Sequence, residues 1–535
     1  MLRLLRAQAR RDRWQLAIWI LSTGLFAAFS ATAVISQFGG LKERTALMML
    51  AASNPALLAI RGLPDGVGTG AVITFQVFTY LAIMAALMST FLNVRHNRGD
   101  EERGRAELVG STPVERSSSL AATLVLGALA NAGIAVAVAL GLVASGLPAA
   151  GSVLAGLAAG AVGLAFCGVA ALAAQLARSA RAATALAGAA IAIASLLRAV
   201  GDALGTPDGS PLRLASAWPS WLSPIGWAQQ VHPFGESTAL PLLLDVALAG
   251  LGATLAIVLV RRRDLGSGVI GERPGRARAG RSLTGSFGLA WRLQRGALIG
   301  WSCGALLLGI FAGGLADPAV AAVKANASIS AAVRGIVSGG TAGLLDIFVA
   351  AIMAFLGVLA AGVAVQAVLR ARVEETDGHT ELVSAGAVPR SRLVLDALAV
   401  AALSIVMVLV IGGLSAGLAF AAAGHPDRFG ITLAAALVQF PAAVMFAAVS
   451  ALVLVLVPRL SVSVGWGLLA VGFVLGQFGG LFRLPDWVRD ISPFTHTPVL
   501  PGSDARWWPA IVVLLVAAGA SLAAAALTRR RDLVT

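Results

Sequence analysis

The sequence predicts an all-α, multi-pass membrane protein of about twelve helices, built as two parallel six-helix repeats with both termini in the cytoplasm. Three observations carry this expectation. Apolar runs of about 20 residues recur along the whole chain, each able to cross a bilayer core of ~30 Å. Cationic residues are concentrated in alternate loops. A polar loop pattern appears twice, in register.

Of the 535 residues, 58% are hydrophobic and 12% charged, against a charged share of roughly 25% in soluble domains. No stretch between the apolar runs is long enough to form an independent soluble domain. The expected spans are 16–36, 71–93, 118–143, 150–177, 180–200 and 237–260, then 296–316, 343–369, 393–421, 430–457, 460–481 and 507–527. The first run is longer than a typical signal-peptide core and is read as a retained first helix.

All but two of the 40 cationic residues are Arg, the exceptions being Lys42 and Lys324. The net charge of +14 does not point to nucleic acid, because the cations flank apolar runs instead of forming an interleaved basic–aromatic face. With both termini in the cytoplasm, 29 of the 40 cations fall inside. Cationic residues resist translocation, so this asymmetry fixes the expected orientation. Cys167 and Cys303 both fall within spans, which argues against a disulfide framework or a metal site. The five His residues show no metal-ligand spacing, and no metal is expected in this chain.

The internal repeat is the strongest signal. After span 2 the chain reads R-G-D-E-E-R-G-R-A-E-L-V-G-S-T-P-V-E-R-S, from Arg98 to Ser117. After span 8 it reads R-V-E-E-T-D-G-H-T-E-L-V-S-A-G-A-V-P-R-S, from Arg372 to Ser391, at a gapless offset of 274. Glu101 meets Glu375, Gly104 meets Gly378, and Glu107-Leu108-Val109 meets Glu381-Leu382-Val383. Arg13 and Trp19 likewise correspond to Arg295 and Trp301, and Trp218 with Ser223-Pro224 to Trp487 with Ser492-Pro493. R-R-R-D-L occurs at Arg261–Leu265 and again at Arg529–Leu533. Chance similarity among Ala-rich apolar runs does not produce matching polar loops in register. Residues 1–265 and 289–535 are therefore read as two six-helix domains, and 266–288, with Pro274 and four Arg, as a cytoplasmic linker.

The loop after span 2 has the composition of a short surface helix around a single Gly, able to offer a polar knob to a soluble partner. A mere connector is the simpler reading of one such loop, but the same pattern in both halves argues for a conserved use within the chain. Glu102 to Arg116, E-R-G-R-A-E-L-V-G-S-T-P-V-E-R, resembles the E-R-x-x-G-T-x-E-x-L-x-x-T-P-V loop of ABC-2-type permeases, one residue tighter before its Gly. The resemblance covers essentially the whole chain. It is to the double-length, fused actinobacterial branch described as exporters of tetronasin-like polyketide antibiotics and other drugs. It implies a bacterial cytoplasmic-membrane permease that moves hydrophobic or amphiphilic compounds outward. It also implies separate ATPase subunits, two per chain, that bind ATP and Mg. The residues it assigns to ATPase coupling are Glu101, Glu102, Arg103, Gly104, Arg105, Glu107 and Leu108, and in the second half Glu375, Gly378, His379, Glu381 and Leu382. The second loop departs from the pattern, with Asp377 for Arg, His379, and no Thr-Pro. The basic start Met1–Arg13 resembles the family's membrane-surface elbow helix, and the Trp-bearing outer loops resemble its re-entrant outer segment. Neither Lys completes a G-x-x-x-x-G-K-[S/T] loop, so no ATP site of that kind, and no enzyme activity, is expected in the chain itself.

Within spans the polar residues are few: Gln76, Asn131, Asp245, Gln366, Gln439 and Gln477. The amides are read as interhelical hydrogen-bonding groups, and Arg198 and Asp202 as a local pair. Asp245 is a functional candidate by its position, but span 12 has no matching acid. Phe75, Gln76 and Phe78 on span 2, with Phe348, Met353 and Phe355 on span 8, are candidates for lining a substrate cavity; helix packing or lipid contact is the bland alternative. An ion-coupled twelve-helix secondary transporter is the rival reading, because Asp100 to Arg105 resembles the D-R-x-G-R signature of the major facilitator family. Glu101 replaces its Arg, the preceding outer loop is long, and the spans carry no repeated acids. A membrane-embedded transferase would need a repeated acidic motif at one face, which the sequence lacks.

Overall fold

The computed structural model describes residues 1–270, 280, 283, 285–325, 344–386, 388–478, 484–500 and 506–529. These contain twelve helical segments long and apolar enough to cross a membrane. The chain divides into two compact units, Met1–Pro274 and Gly275–Thr535. Most of the expected linker, 266–288, lies outside the described residues.

In the first unit, α1 (Leu2–Gln37) is followed by two short helices, α2 (Leu41–Ala52) and α3 (Pro55–Arg61). Then come α4 (Thr69–His96), α5 (Arg98–Glu102), α6 (Arg105–Gly110), α7 (Ser118–Ala144), α8 (Ala149–Leu176) and α9 (Ala180–Ala203). A small antiparallel hairpin, β1 (Thr206–Asp208) with β2 (Ser210–Ala215), leads into α10 (Pro224–Gln229) and α11 (Leu242–Arg262). Helices α4 and α8 are the most enclosed, and α8 packs on α4, α7 and α11. The outer surfaces are apolar instead of charged. Leu129, Val136 and Leu140 form one exposed face of α7, while Ile134 and Val138 on the opposite face are fully buried. A helix apolar on all sides belongs in lipid.

Lipid tails are as apolar as Leu, so helices there associate by close packing of small residues and by hydrogen bonds. A Cβ at Gly252 would lie 2.6 Å from the Gly168 backbone, so α11 and α8 approach each other in a way only Gly allows. Asn131 donates to Ser89 Oγ at 2.8 Å, and Trp301 Nε1 donates to Gln366 Oε1 at 2.6 Å. Each is an interhelical bond of the kind expected from sequence, worth on average ~0.6 kcal/mol in a bilayer. Arg198 and Asp202 form a buried pair at 3.3 Å, and Ser220 of the outer loop donates to Asp202.

The second unit carries α12 (Ser286–Ala325), α13 (Leu344–Thr376), α14 (His379–Ser384), α15 (Arg390–Ala422), α16 (Arg428–Leu437), α17 (Phe440–Leu456), α18 (Ser461–Phe473), α19 (Asp486–Arg489) and α20 (Trp508–Thr528). The expected span 430–457 is broken into α16 and α17. Pro441 cannot donate the backbone bond that would continue the helix. The expected end of span 11, residues 479–481, lies outside the described residues.

The structure also differs from sequence expectation at the N-terminus. The basic start does not form a separate surface helix but runs continuously into the first span as the 36-residue α1. No Pro or Gly interrupts residues 2–23. The segment is also held by the unit's own helices: Gln8 donates to Ser119 O and Thr123 Oγ1 on α7, and Asp12 bonds His96 on α4 at 2.7 Å.

Candidate functional site

The repeated loop folds the same way in both units. In the first, α5 ends, Gly104 adopts φ +69°, and α6 begins at Arg105. In the second, α13 ends at Thr376, Gly378 adopts φ +75°, and α14 begins at His379. Left-handed φ costs any residue with a Cβ, so Gly is the residue that lets each short helix turn back on the one before it. Helices α6 and α14 match residue for residue at the offset of 274. Both lie at the end that the charge asymmetry assigns to the cytoplasm. Each presents a Leu to solvent: Leu108 is 73% exposed and Leu382 76%. Glu107 and Glu381 are exposed beside them.

What holds each knob in place is a buried carboxylate. Glu101 pairs with Arg98 at 2.7 Å and with Arg263, accepting from its Nη1 at 3.0 Å. All three side chains are almost fully enclosed. Arg98 also donates to the carbonyl of Gln175 at the end of α8, and Arg263 to the Gln175 side chain at 2.7 Å. The network ties the loop to α8 and α11. Burying two guanidinium groups is costly unless a carboxylate compensates them. Glu101 therefore braces the knob, and its carboxylate is not available at the surface. Glu375 takes the same part in the second unit, 3.3 Å from Arg372 and equally buried. Glu102 accepts from the Ala180 N–H at 2.7 Å, capping the start of α9. His379 and Arg370 both reach Glu374, at 2.9 and 3.0 Å.

Of the residues the sequence assigned to partner coupling, Arg103, Arg105, Glu107 and Leu108 are thus exposed in one knob, and His379, Glu381 and Leu382 in the other. Glu101 and Glu375 are internal ties, and Gly104 and Gly378 shape the turns. Three contributors escaped the sequence reading. Arg263 belongs to the first R-R-R-D-L, whose repetition was its only signal; most of the second copy lies outside the described residues. Arg261 pairs with Glu115 at 2.6 Å. The Ser117 hydroxyl, first, and then Arg261 hold the Glu115 carboxyl below its usual range. Asp12 sits fully buried between His96 and Arg95, while Arg11 and Arg105 both pair with Asp100, at 2.9 and 3.3 Å.

The candidate cavity residues occupy varied settings. Phe75 and Phe78 are buried around a void of about 30 Å³ near Phe234. The Gln76 carbonyl accepts from Arg61. Met353 is buried in the second unit's core and Phe348 packs against it, whereas Phe355 is 38% exposed and meets Phe473 edge-on. Among the described residues no group of His, Cys, Asp or Glu is arranged to hold a metal ion.

Twelve helices among the described residues long and apolar enough to cross a membrane, with a like knob in each unit, define a multi-pass membrane protein. Residues 283–529 match the family described as the multidrug efflux system permease Rv1217c, C-terminal domain. The multidrug efflux system permease protein Rv1217c of Mycobacterium tuberculosis (strain ATCC 25618 / H37Rv) is 36% identical over 509 residues, covering 94% of this chain and 89% of that protein. The chain belongs to this family of multidrug efflux permeases, of the ABC-2-type exporter class, and is a multi-pass protein of the bacterial cell membrane.

Proposed function

We propose that the chain is the membrane half of an ATP-driven exporter, with one separately encoded ATPase subunit seated under each knob and therefore two per chain. The observation that carries this reading is the pair of exposed leucines, Leu108 and Leu382, at equivalent positions on short helices that buried Arg–Glu ties hold rigid. A large apolar side chain exposed at the matching position of two short, otherwise polar helices is suited to seat in a pocket of a partner protein. The cargo is a hydrophobic or amphiphilic compound of the antibiotic or drug type, in line with the multidrug efflux role of the mycobacterial relative.

In this mechanism ATP and Mg are bound by the partner subunits. Their closure pushes on α6 and α14, and the stiff ties Glu101–Arg263 and Glu375–Arg372 pass the motion to the membrane helices. The test is transport of a fluorescent hydrophobic drug into inverted vesicles containing the chain and its ATPase. Uptake that needs ATP and falls at least tenfold in Glu107→Arg with Glu381→Arg supports the reading. ATP-independent uptake, or uptake indifferent to both reversals, overturns it.

One observation favours a second reading. Asp245 on α11 is fully buried, with no hydrogen-bond partner for either carboxylate oxygen among the described residues, the setting in which an ion-coupled carrier keeps its proton site. The α20 helix offers no counterpart acid. Uptake driven by a proton gradient without ATP, and lost in Asp245→Asn, would establish the carrier instead.

A further inference from the structure

The cytoplasmic end of α1 presents two unlike faces. The inner face is tied to the unit: Gln8 bonds Ser119 and Thr123, Arg11 pairs with Asp100, and Asp12 is held by His96 and Arg95. The outer face carries Arg3, Arg6, Arg10 and Arg13, all exposed. At 3.6 residues per turn, their spacing places all four in a sector roughly 80° wide. No acid among the described residues pairs with any of them, and Asp12, the one acid of α1, is buried on the opposite side.

The exposed side of the helix then turns apolar, with Trp14, Ile18, Leu21 and Leu25. The Arg13 guanidinium lies over the Trp14 ring, 5.5 Å from its centroid. Trp at such a boundary marks a membrane–water interface. Because α1 runs on without folding onto the surface, the arginines form a ladder along its axis. From Arg13 to Arg3 the ladder rises about 15 Å, at ~1.5 Å per residue. A headgroup layer is roughly 5–8 Å deep on each side of the bilayer core. Arg13 and Arg10 therefore stand within it, and Arg6 and Arg3 lie within a Debye length, ~10 Å, of its surface. The second unit repeats the two lower rungs. Arg292 and Arg295 on α12 match Arg10 and Arg13 and are exposed, while Gly285 and Gly288 stand where the first unit has Arg3 and Arg6.

We propose that this face of α1 binds the phosphodiester headgroups of anionic phospholipids. A guanidinium matches a phosphate with two parallel hydrogen bonds. The ties on the inner face hold the row in place, so little ordering is needed on binding. A soluble acidic partner fits less well, because the row runs without a break into the lipid-facing side of the same helix. Binding does not depend on the exporter reading.

The test uses the full chain alone in lipid nanodiscs. A phosphatidylglycerol carrying a diazirine high on its acyl chain is added to a phosphatidylcholine bilayer, and adducts are mapped by mass spectrometry. The expected result is labelling of the Trp14–Leu21 segment that saturates, is competed by unlabelled phosphatidylglycerol and weakens as salt is raised. A matched phosphatidylcholine probe should label the same segment without saturating. Arg10→Gln should weaken half-saturation about fivefold, the effect of one basic residue at an anionic surface, and Arg10→Lys much less. Replacing all four Arg by Gln should abolish saturation while the phosphatidylcholine signal persists. Like, non-saturating labelling by both probes overturns the proposal and leaves ordinary lipid contact. Competition by inorganic phosphate at matched ionic strength would assign a free-phosphate site, and displacement by the purified candidate ATPase would assign a protein surface; either overturns it. Should the fourfold variant fail to insert, Arg10→Gln against Arg10→Lys decides alone.

Discussion

The two halves of the chain share a design at their cation-rich ends and differ in how it is filled. In the first, the space between α1, α4 and the knob is crowded with ion pairs: Asp12 with His96 and Arg95, Arg11 and Arg105 with Asp100, Arg263 with Glu101. In the second, Gln294 stands where Asp12 would be, its amide nitrogen without a hydrogen-bond partner among the described residues, and Leu, Val and Ala surround it beside Arg370, Glu374 and Glu375. The lesson is that duplication preserved the geometry of the knob, including its left-handed Gly and its exposed Leu, while the supporting chemistry was free to drift. Both halves keep a charged tie beneath the knob, and the first adds the buried Asp12 cluster that the second lacks.

That comparison can be broken most severely at the ties. Glu101→Ala should destabilise the first unit by about 3–5 kcal/mol, because two buried guanidinium groups lose their counter-charge. Glu375→Ala should cost clearly less, since Arg372 is 16% exposed and can rehydrate. Denaturant unfolding in detergent, followed by Trp fluorescence, measures both, and equal losses would erase the proposed difference between the clamps.

A smaller effect is expected at the knob tips. Leu108→Asp and Leu382→Asp should leave stability unchanged, because both side chains are already in solvent. Each should weaken ATPase binding by about 2 kcal/mol, the scale of an interface anchor, readable by surface plasmon resonance. The contrast between Asp12 and Gln294 is sharpened by a further pair. Asp12→Ala removes acceptors from His96 and Arg95 and should cost about 1.5–3 kcal/mol. Gln294→Leu replaces a partnerless amide and should be neutral or slightly stabilising. A loss at Gln294 as large as that at Asp12 would mean the amide is engaged after all.

The smallest effect concerns pH. Glu115 is held ionised by Ser117 and Arg261, so its folded pKa lies below its unfolded value, the ordinary value being 4.5. The sign follows: its contribution is present above that value and fades as pH falls through the folded pKa. Wild type and Glu115→Gln should therefore differ slightly in melting temperature at neutral pH and converge in acid. Because the group is exposed, added salt should shrink the difference as well.

Much of this architecture was legible in the sequence because lipid imposes a simple rule: a helix must be apolar for about 20 residues, and loops must declare their side by charge. The repeated loop was legible because polar residues in register cannot arise from that rule alone. Other features needed coordinates. Nothing in E-E-R-G-R-A-E-L says which Glu faces inward, and only the fold brings Arg263 to Glu101 across 162 positions of sequence. The hairpin Thr206–Ala215 is too short and Pro-rich to carry a strand pattern. The partner of Asp12 lies 84 residues away, so neither its burial nor the vacancy at Gln294 could be inferred from local sequence.

The central claim, one ATPase beneath each knob, is tested most directly by native mass spectrometry of the chain purified with its candidate ATPase. The account predicts two ATPase subunits per wild-type chain, one in either Leu108→Asp or Leu382→Asp, and none in the double variant. A wild-type chain that carries no ATPase, or a stoichiometry that both substitutions leave unchanged, would contradict it.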